Sequence, residues 1–180
     1  MARRLSGQLL VASPTIGDPT FARTVVLVVD HDRDGALGIV LNRPTATKVE
    51  AVVPDIASMF HGDAVVHDGG PVQPESLLTV AEFRDPADAA LLVLGRVGMV
   101  RGDEAPRTPE VDRARAYAGY AGWAPDQLDD ELGASDWLVV PAQPDDLFRE
   151  DSELLWHRAL ERMGGPYARL ATVPEDPSVN

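Results

Sequence analysis

Residues 24–44 read TVVLVVDHDRDGALGIVLNRP. Two apolar runs, 25–29 and 36–41, flank Asp32-Arg33-Asp34-Gly35. An Asp-Gly closing such a connection supplies the positive φ of a tight turn, so the stretch predicts a β-hairpin. Its strands are nearly continuous in Val, Leu and Ile, the pattern of strands covered on both faces. The hairpin therefore belongs inside a sheet with helices packed on it, and the chain reads as α/β. Its second strand runs into Asn42-Arg43-Pro44. An amide and a guanidinium delivered by a buried strand, stopped by a proline, are the first place to look for function.

At 180 residues and 44% hydrophobic, the chain can build one sizeable core. One domain is expected over 1–170, with the Pro- and acid-rich residues 171–180 as a mobile C-terminal tail. No run approaches the roughly 20 apolar residues of a membrane span, and only 9–12 are apolar before Ser13-Pro14 near the N-terminus. No targeting or anchoring signal is read, and cytoplasm is the expected location. The lack of cysteine excludes disulfides, thiolate nucleophiles and Cys-ligated metals. With 16 Lys plus Arg against 29 Asp plus Glu, the net charge of −13 repels a phosphate backbone. The arginines are scattered, so direct nucleic-acid binding is not expected.

Along the chain, 7–13 read as a first strand closed by Pro14, followed by a loop over 14–21 in which Asp18 caps a turn. Thr47-Lys48-Val49-Glu50 fits a capping box and predicts a short helix to Val53, halted by Pro54. A strand at 64–67 leads into Asp68-Gly69-Gly70-Pro71. The paired glycines permit a sharp bend and leave amides bare for an anion or for another backbone. Residues 75–83, 89–94 and 97–100 read as strands, and 101–109 as the most loop-like internal segment, where mobility is expected. The stretch 113–120 is ambiguous, its alanines leaning toward helix and its alternation toward strand. Pro125 at a first helical position and Gly133 as a left-handed stop predict a helix within 124–133. A strand at 137–140, a brief turn at Leu147-Phe148 and a helix over 152–163 complete the reading. Trp156, Leu160 and Met163 share one face of that helix, and Gly164-Gly165-Pro166 ends it.

Several of these stretches, taken in order, resemble one family. Ala12-Ser13-Pro14 with 18–26, His31 with 35–44, Gly69-Gly70-Pro71-Val72, and 119–123 with Gln127, Leu128, Glu131 and Trp137 are similar to the YqgE/AlgH family. Asp32 and Asp126 depart from it, standing where the family usually has Asn and Gly, and 76–80 lack a histidine that many members carry. The resemblance implies a cytoplasmic bacterial protein of one compact α/β domain with a mixed, partly antiparallel sheet. It implies a candidate transcriptional regulator of otherwise unknown biochemistry, and a strand rather than a helix over 117–122.

No nucleophile elbow, Walker loop, dinucleotide fingerprint or metalloprotease helix is present, and no cofactor is called for. The four histidines are His31, His61, His67 and His157. His67 and Asp68 point to opposite faces of a strand, which opposes a metal site there. The candidate ligand-binding residues are Asn42, Arg43, Gly69, Gly70, Tyr120 and Trp123. Arg43 would supply charge, Asn42 orientation, the glycine amides an anion cradle, and the aromatics a stacking wall. In the competing reading, Asn42 ties a neighbouring loop and Arg43 pairs with an acid. The leading functional reading is a non-catalytic regulatory protein acting through a protein or small-molecule partner. The alternatives are a direct DNA-binding regulator, an unrecognised enzyme using Asn42, Arg43 and His31, and a metal-independent ligand-binding protein. The oligomeric state is not legible.

Overall fold

A computed structural model describes residues 4–102 and 108–172. The first half of the chain forms β1 (Gln8–Ala12), β2 (Val25–Asp32), β3 (Gly35–Val40), β4 (Pro44–Lys48), α1 (Val49–Val52), β5 (Val65–Asp68) and β6 (Val72–Phe83). The second half forms β7 (Leu91–Leu94), β8 (Val97–Met99), β9 (Val111–Trp123), α2 (Gln127–Gly133), β10 (Trp137–Pro141), α3 (Pro144–Phe148), α4 (Leu155–Met163) and α5 (Gly165–Leu170). Short 3-10 turns lie at Pro54–Met59 and Ser152–Leu154. The strands join one sheet in the order β10-β1-β2-β3-β9-β6-β8-β7, with β5 on β9 and β4 on β5 as a side branch. Among the described residues only the β5–β9 pair is parallel, so the sheet is mixed, as expected.

The hairpin forms as read, with Asp32 opposite Gly35. Its alternating residues feed two separate cores. Val25, Leu27, Val29, Ile39 and Leu41 enter one, with Trp156, Ala159 and Leu160 of α4 packed on them. Val26, Val28 and Val40 enter the other, with Trp137 and with Leu128 of α2. Burying each of these side chains contributes about 1.5–3 kcal/mol, which is why the strands carry no polar face. Trp156 also donates its indole N–H to the Ala12 carbonyl at 2.8 Å, fixing α4 on β1.

The hairpin is nevertheless not the hub of the sheet. β9 is, because it pairs with β6, β3 and β5. The strand implied over 117–122 is present and extends over Val111–Trp123. The helical lean of its alanines is overridden because alternation sends Tyr117 into one core and Ala116 into another.

Several local expectations are corrected. Thr47 lies in β4 rather than at a helix cap, and no side chain caps α1, because pairing with β5 holds this segment extended. Pro44 opens β4 instead of stopping β3, which ends at Val40. Pro125 precedes the N-cap of α2, and Gly133 stays inside the helix while Ser135 takes the left-handed φ of 64°. Residues 147–148 close the helix α3, whose start is fixed by the Gln143 amide donating to Asp146 at 2.9 Å. Gly164 ends α4, yet α5 begins at once. The expected tail lies outside the described residues from 173 onward, as do 103–107 of the expected loop. Among the described residues no helix is long and apolar enough to cross a membrane.

Candidate functional site

The sequence-predicted residues lie along the seam between β3, β9 and the glycine loop. Asn42 is buried, and both ends of its amide are engaged within the chain. Its Oδ1 accepts from the Val25 amide at 2.9 Å, and its Nδ2 donates to the Arg23 carbonyl at 2.9 Å. The tie therefore runs to the start of β2, where Arg23 holds a left-handed φ of 55°, and not to the loops at 14–21 or 69–72. Arg43 donates to the Ala22 carbonyl at 3.4 Å and has no acidic partner among the described residues.

The glycine amides are also engaged. Gly69 donates to Ala118 and accepts from Val40, at 2.8 and 2.9 Å, and Gly70 donates to the Asp68 carboxylate at 3.1 Å. A Cβ at Gly69 would lie 2.3 Å from the Gly119 carbonyl oxygen, and one at Gly70 2.3 Å from the Tyr120 carbonyl carbon. Both positions serve a close backbone crossing between the loop and β9. Tyr120 is half-buried opposite Val72. Trp123 sits apart from this crossing, in an aromatic cluster with Phe21 and Trp137. The indole N–H groups of Trp123 and Trp137 converge on one Glu131 oxygen at 2.9 and 2.7 Å, and Gln127 donates to the other at 2.9 Å. Gly69, Gly70 and Tyr120 thus meet each other, and Trp123 does not join them.

None of the six lines the large cleft, about 980 Å³, that opens on the other flank of β9. Its walls come from 44–46, 60–65, Phe148, Glu150, Ser152 and Glu153, and its base from 112–115. The cleft exists because β5 is short. β5 starts at Val65 and is registered only with Tyr117 and Ala118, so 111–116 have no strand partner on that side among the described residues. Four consecutive β9 residues lining one cleft means that it runs along the strand's edge, since alternate side chains leave on opposite faces.

Hydrogen-bond parity identifies the main-chain groups on that edge. The Thr79 carbonyl accepts from Val100, so the Thr79 backbone faces away from β9. Val80 and its partner Arg115 therefore bond each other, and the N–H and C=O of Ala114 project from the opposite edge into the cleft. The same parity carries Ala118, whose carbonyl accepts from Gly69 on the β5 side.

Charge is unevenly distributed over the cleft. At its base Arg113 is bonded to Glu82 at 2.9 Å and to Asp145 at 2.6 Å; burial lowers its pKa, and these carboxylates outweigh that and raise it. Hydrogen bonds from Arg84 and Arg96 hold the Asp112 carboxyl below its usual range. Arg115 donates to the Arg149 carbonyl at 2.6 Å. Its Nη1 and the Tyr117 hydroxyl are buried without a hydrogen bond among the described residues, and burial pushes the hydroxyl pKa up. His67 accepts from or donates to the Ser152 hydroxyl through Nε2 at 3.0 Å. With Nδ1–H directed at the Val65 carbonyl at 3.4 Å, Nε2 is the acceptor. Burial, then Arg115, lowers the His67 pKa from 6.5 to about 4, so the ring is neutral near pH 7. Ser152 is only 1% exposed, so this pair ties the 152–154 turn to β5 and does not present a nucleophile. At the rim, Glu150 and Glu153 are exposed and have no ion-pair partner among the described residues, while Asp63 lies 3.6 Å from Lys48. Among the described residues no group of three or more His, Asp or Glu is placed to hold a metal ion.

Sequence reasoning missed this cleft. The available signal is the contrast within β9 between charged Asp112-Arg113-Ala114-Arg115 and the apolar, glycine-spaced 116–123, the mark of a strand that passes from an open edge into a core.

A family model described as AlgH-like matches residues 9–168. A UPF0301 protein of Streptomyces coelicolor is 43% identical, over 98% of this chain and 95% of its own. One from Mycolicibacterium smegmatis is 40% identical, over 97% and 90%. Among solved structures, a Corynebacterium diphtheriae protein superposes with a TM-score of 0.85 at 29% identity, covering 95% of this chain and 93% of its own. The solution structure of the AlgH protein from Pseudomonas aeruginosa gives a TM-score of 0.72 at 28% identity, covering 98% and 97%.

Proposed function

The chain belongs to the AlgH-like family, and from that premise we propose that it is a non-catalytic binding protein, acting in the cytoplasm by docking a polypeptide partner in the cleft beside β9. The observation that carries this reading is the open edge at Ala114, a main-chain donor and acceptor facing an 18-residue cleft of about 980 Å³ rather than another strand. Exposed strand edges are templates for pairing with another chain, and a cleft wall on each side restricts which chain can enter. A role in transcription is then exerted through that partner, because the net charge of −13 and the acidic rim repel DNA.

Replacing exposed Ala46, on the cleft wall, by a photo-cross-linking amino acid in living cells tests this reading. The expected result is a discrete polypeptide adduct that is lost when the same chain carries Ala114→Pro. Proline removes only the cleft-facing N–H, a change that edge strands tolerate. A cross-linker at Gly17, which has nothing within 4 Å of its Cβ position, should give no such adduct. Adducts unaffected by Ala114→Pro, or none from position 46, would contradict docking at this edge.

A further inference from the structure

Resting on that reading, we infer that the partner enters as a short extended segment in which basic side chains alternate with apolar ones. The open edge fixes the backbone. A segment bonded to the N–H and C=O of Ala114 lies in line with β5, occupying the place β5 would fill if it began earlier. The base of the cleft, 112–115, is about 10 Å long at ~3.3 Å per residue, which suits about four residues of added strand.

The walls fix the side chains. An added strand sends successive side chains to opposite faces of the sheet. On the face covered by the 148–153 segment they meet Glu150 and Glu153, exposed carboxylates without a cationic partner among the described residues. On the other face they meet Phe60, which packs with Met59 and Ala81, and Ala64, which packs with Val66. The cations at the base do not oppose this pattern. Arg113 is held between Glu82 and Asp145, and the Arg115 guanidinium is turned under the Arg149 carbonyl with its Nη1 buried. The field that an approaching segment meets is therefore that of the rim and of the whole chain, whose net charge is −13, and it attracts cationic residues.

The probe is an acetylated, amidated eight-residue peptide of alternating lysine and valine, titrated into the full chain at low salt. Its controls are the same peptide with glutamate for lysine, and the lysine peptide with alternate backbone nitrogens methylated. The lysine peptide is expected to bind at least tenfold more tightly than the other two, to weaken as salt rises, and to lose at least tenfold with Glu150→Gln/Glu153→Gln or with Ala114→Pro. Equal binding of lysine and glutamate peptides, or tighter binding of the glutamate peptide, overturns the basic pattern while leaving docking at the edge intact. Undiminished binding of the methylated peptide, or to Ala114→Pro, overturns strand addition. No binding of the lysine peptide overturns the inference, and the cross-linking experiment then decides separately whether another segment uses the cleft.

Discussion

Gly70→Ala is expected to cause a large loss of stability of the fold. Gly70 holds φ at +143°, and a Cβ there would lie 2.3, 2.4 and 2.6 Å from the Tyr120 carbonyl carbon, the Tyr120 carbonyl oxygen and the Ala121 nitrogen. All three atoms are backbone of β9, so no side chain can rotate away. Gly119 approaches from the other side, its own Cβ position 2.4 Å from the Gly70 carbonyl oxygen, so neither chain can retreat toward the other. Combining left-handed strain with overpacking against a rigid strand gives a loss of roughly 3–5 kcal/mol. That is a large part of a typical domain's 5–15 kcal/mol, and it corresponds to a fall of about 10 °C in Tm. Gly17→Ala is the matched control, with open space around its Cβ position and no positive φ, and it should change stability by less than about 0.5 kcal/mol. Thermal and urea unfolding of both variants reads the difference. Similar Tm values for Gly70→Ala and the parent would contradict the backbone crossing.

The second large effect is acid destabilisation through His67. Its folded pKa is about 4, against 6.5 when unfolded, because burial of the ring and the nearby Arg115 outweigh the hydrogen bond to the Val65 carbonyl. Above pH 6.5 neither state binds the proton, so the group costs nothing. As the pH falls from 6.5 toward 4, the unfolded chain binds a proton that the folded chain refuses, and stability drops. The full difference approaches about 3 kcal/mol by pH 4, at ~1.4 kcal/mol per pKa unit. His67→Gln keeps an acceptor for Ser152 and removes the titration. It is expected to be less stable than the parent at pH 7 and to have a flatter urea-derived stability curve between pH 7 and 4. Parallel curves for the two proteins would show that His67 does not carry the effect.

The fold was legible wherever burial wrote itself into consecutive residues. The hairpin's unbroken Val, Leu and Ile predicted coverage on both faces, and its alternate residues do enter two cores. Local cap signals were less informative, because tertiary pairing displaced them. Thr47 and Glu50 have capping-box spacing, but β4 is held extended by β5 through Lys48. Gly133 is suited to a left-handed stop, but Ser135 takes that conformation two residues later. Asn42 stood out in the sequence because a buried amide must be satisfied, and it is satisfied by the backbone of Arg23 and Val25. The cleft had no comparable local signature. It depends on where β5 starts relative to β9, a relation between residues about fifty positions apart in the chain, and on a 3-10 turn after α3 that brings Glu150 and Ser152 over the edge.

Amide hydrogen exchange along β9 in the free protein tests most directly whether that edge is open. The Arg113 and Arg115 amides face β6, and the Ala114 amide between them faces the cleft. Ala114 is expected to exchange on the order of a hundredfold faster than both neighbours, although all three lie inside one strand. Protection of Ala114 equal to that of Arg113 and Arg115 would mean that its N–H is already paired, and would contradict a docking edge at this position.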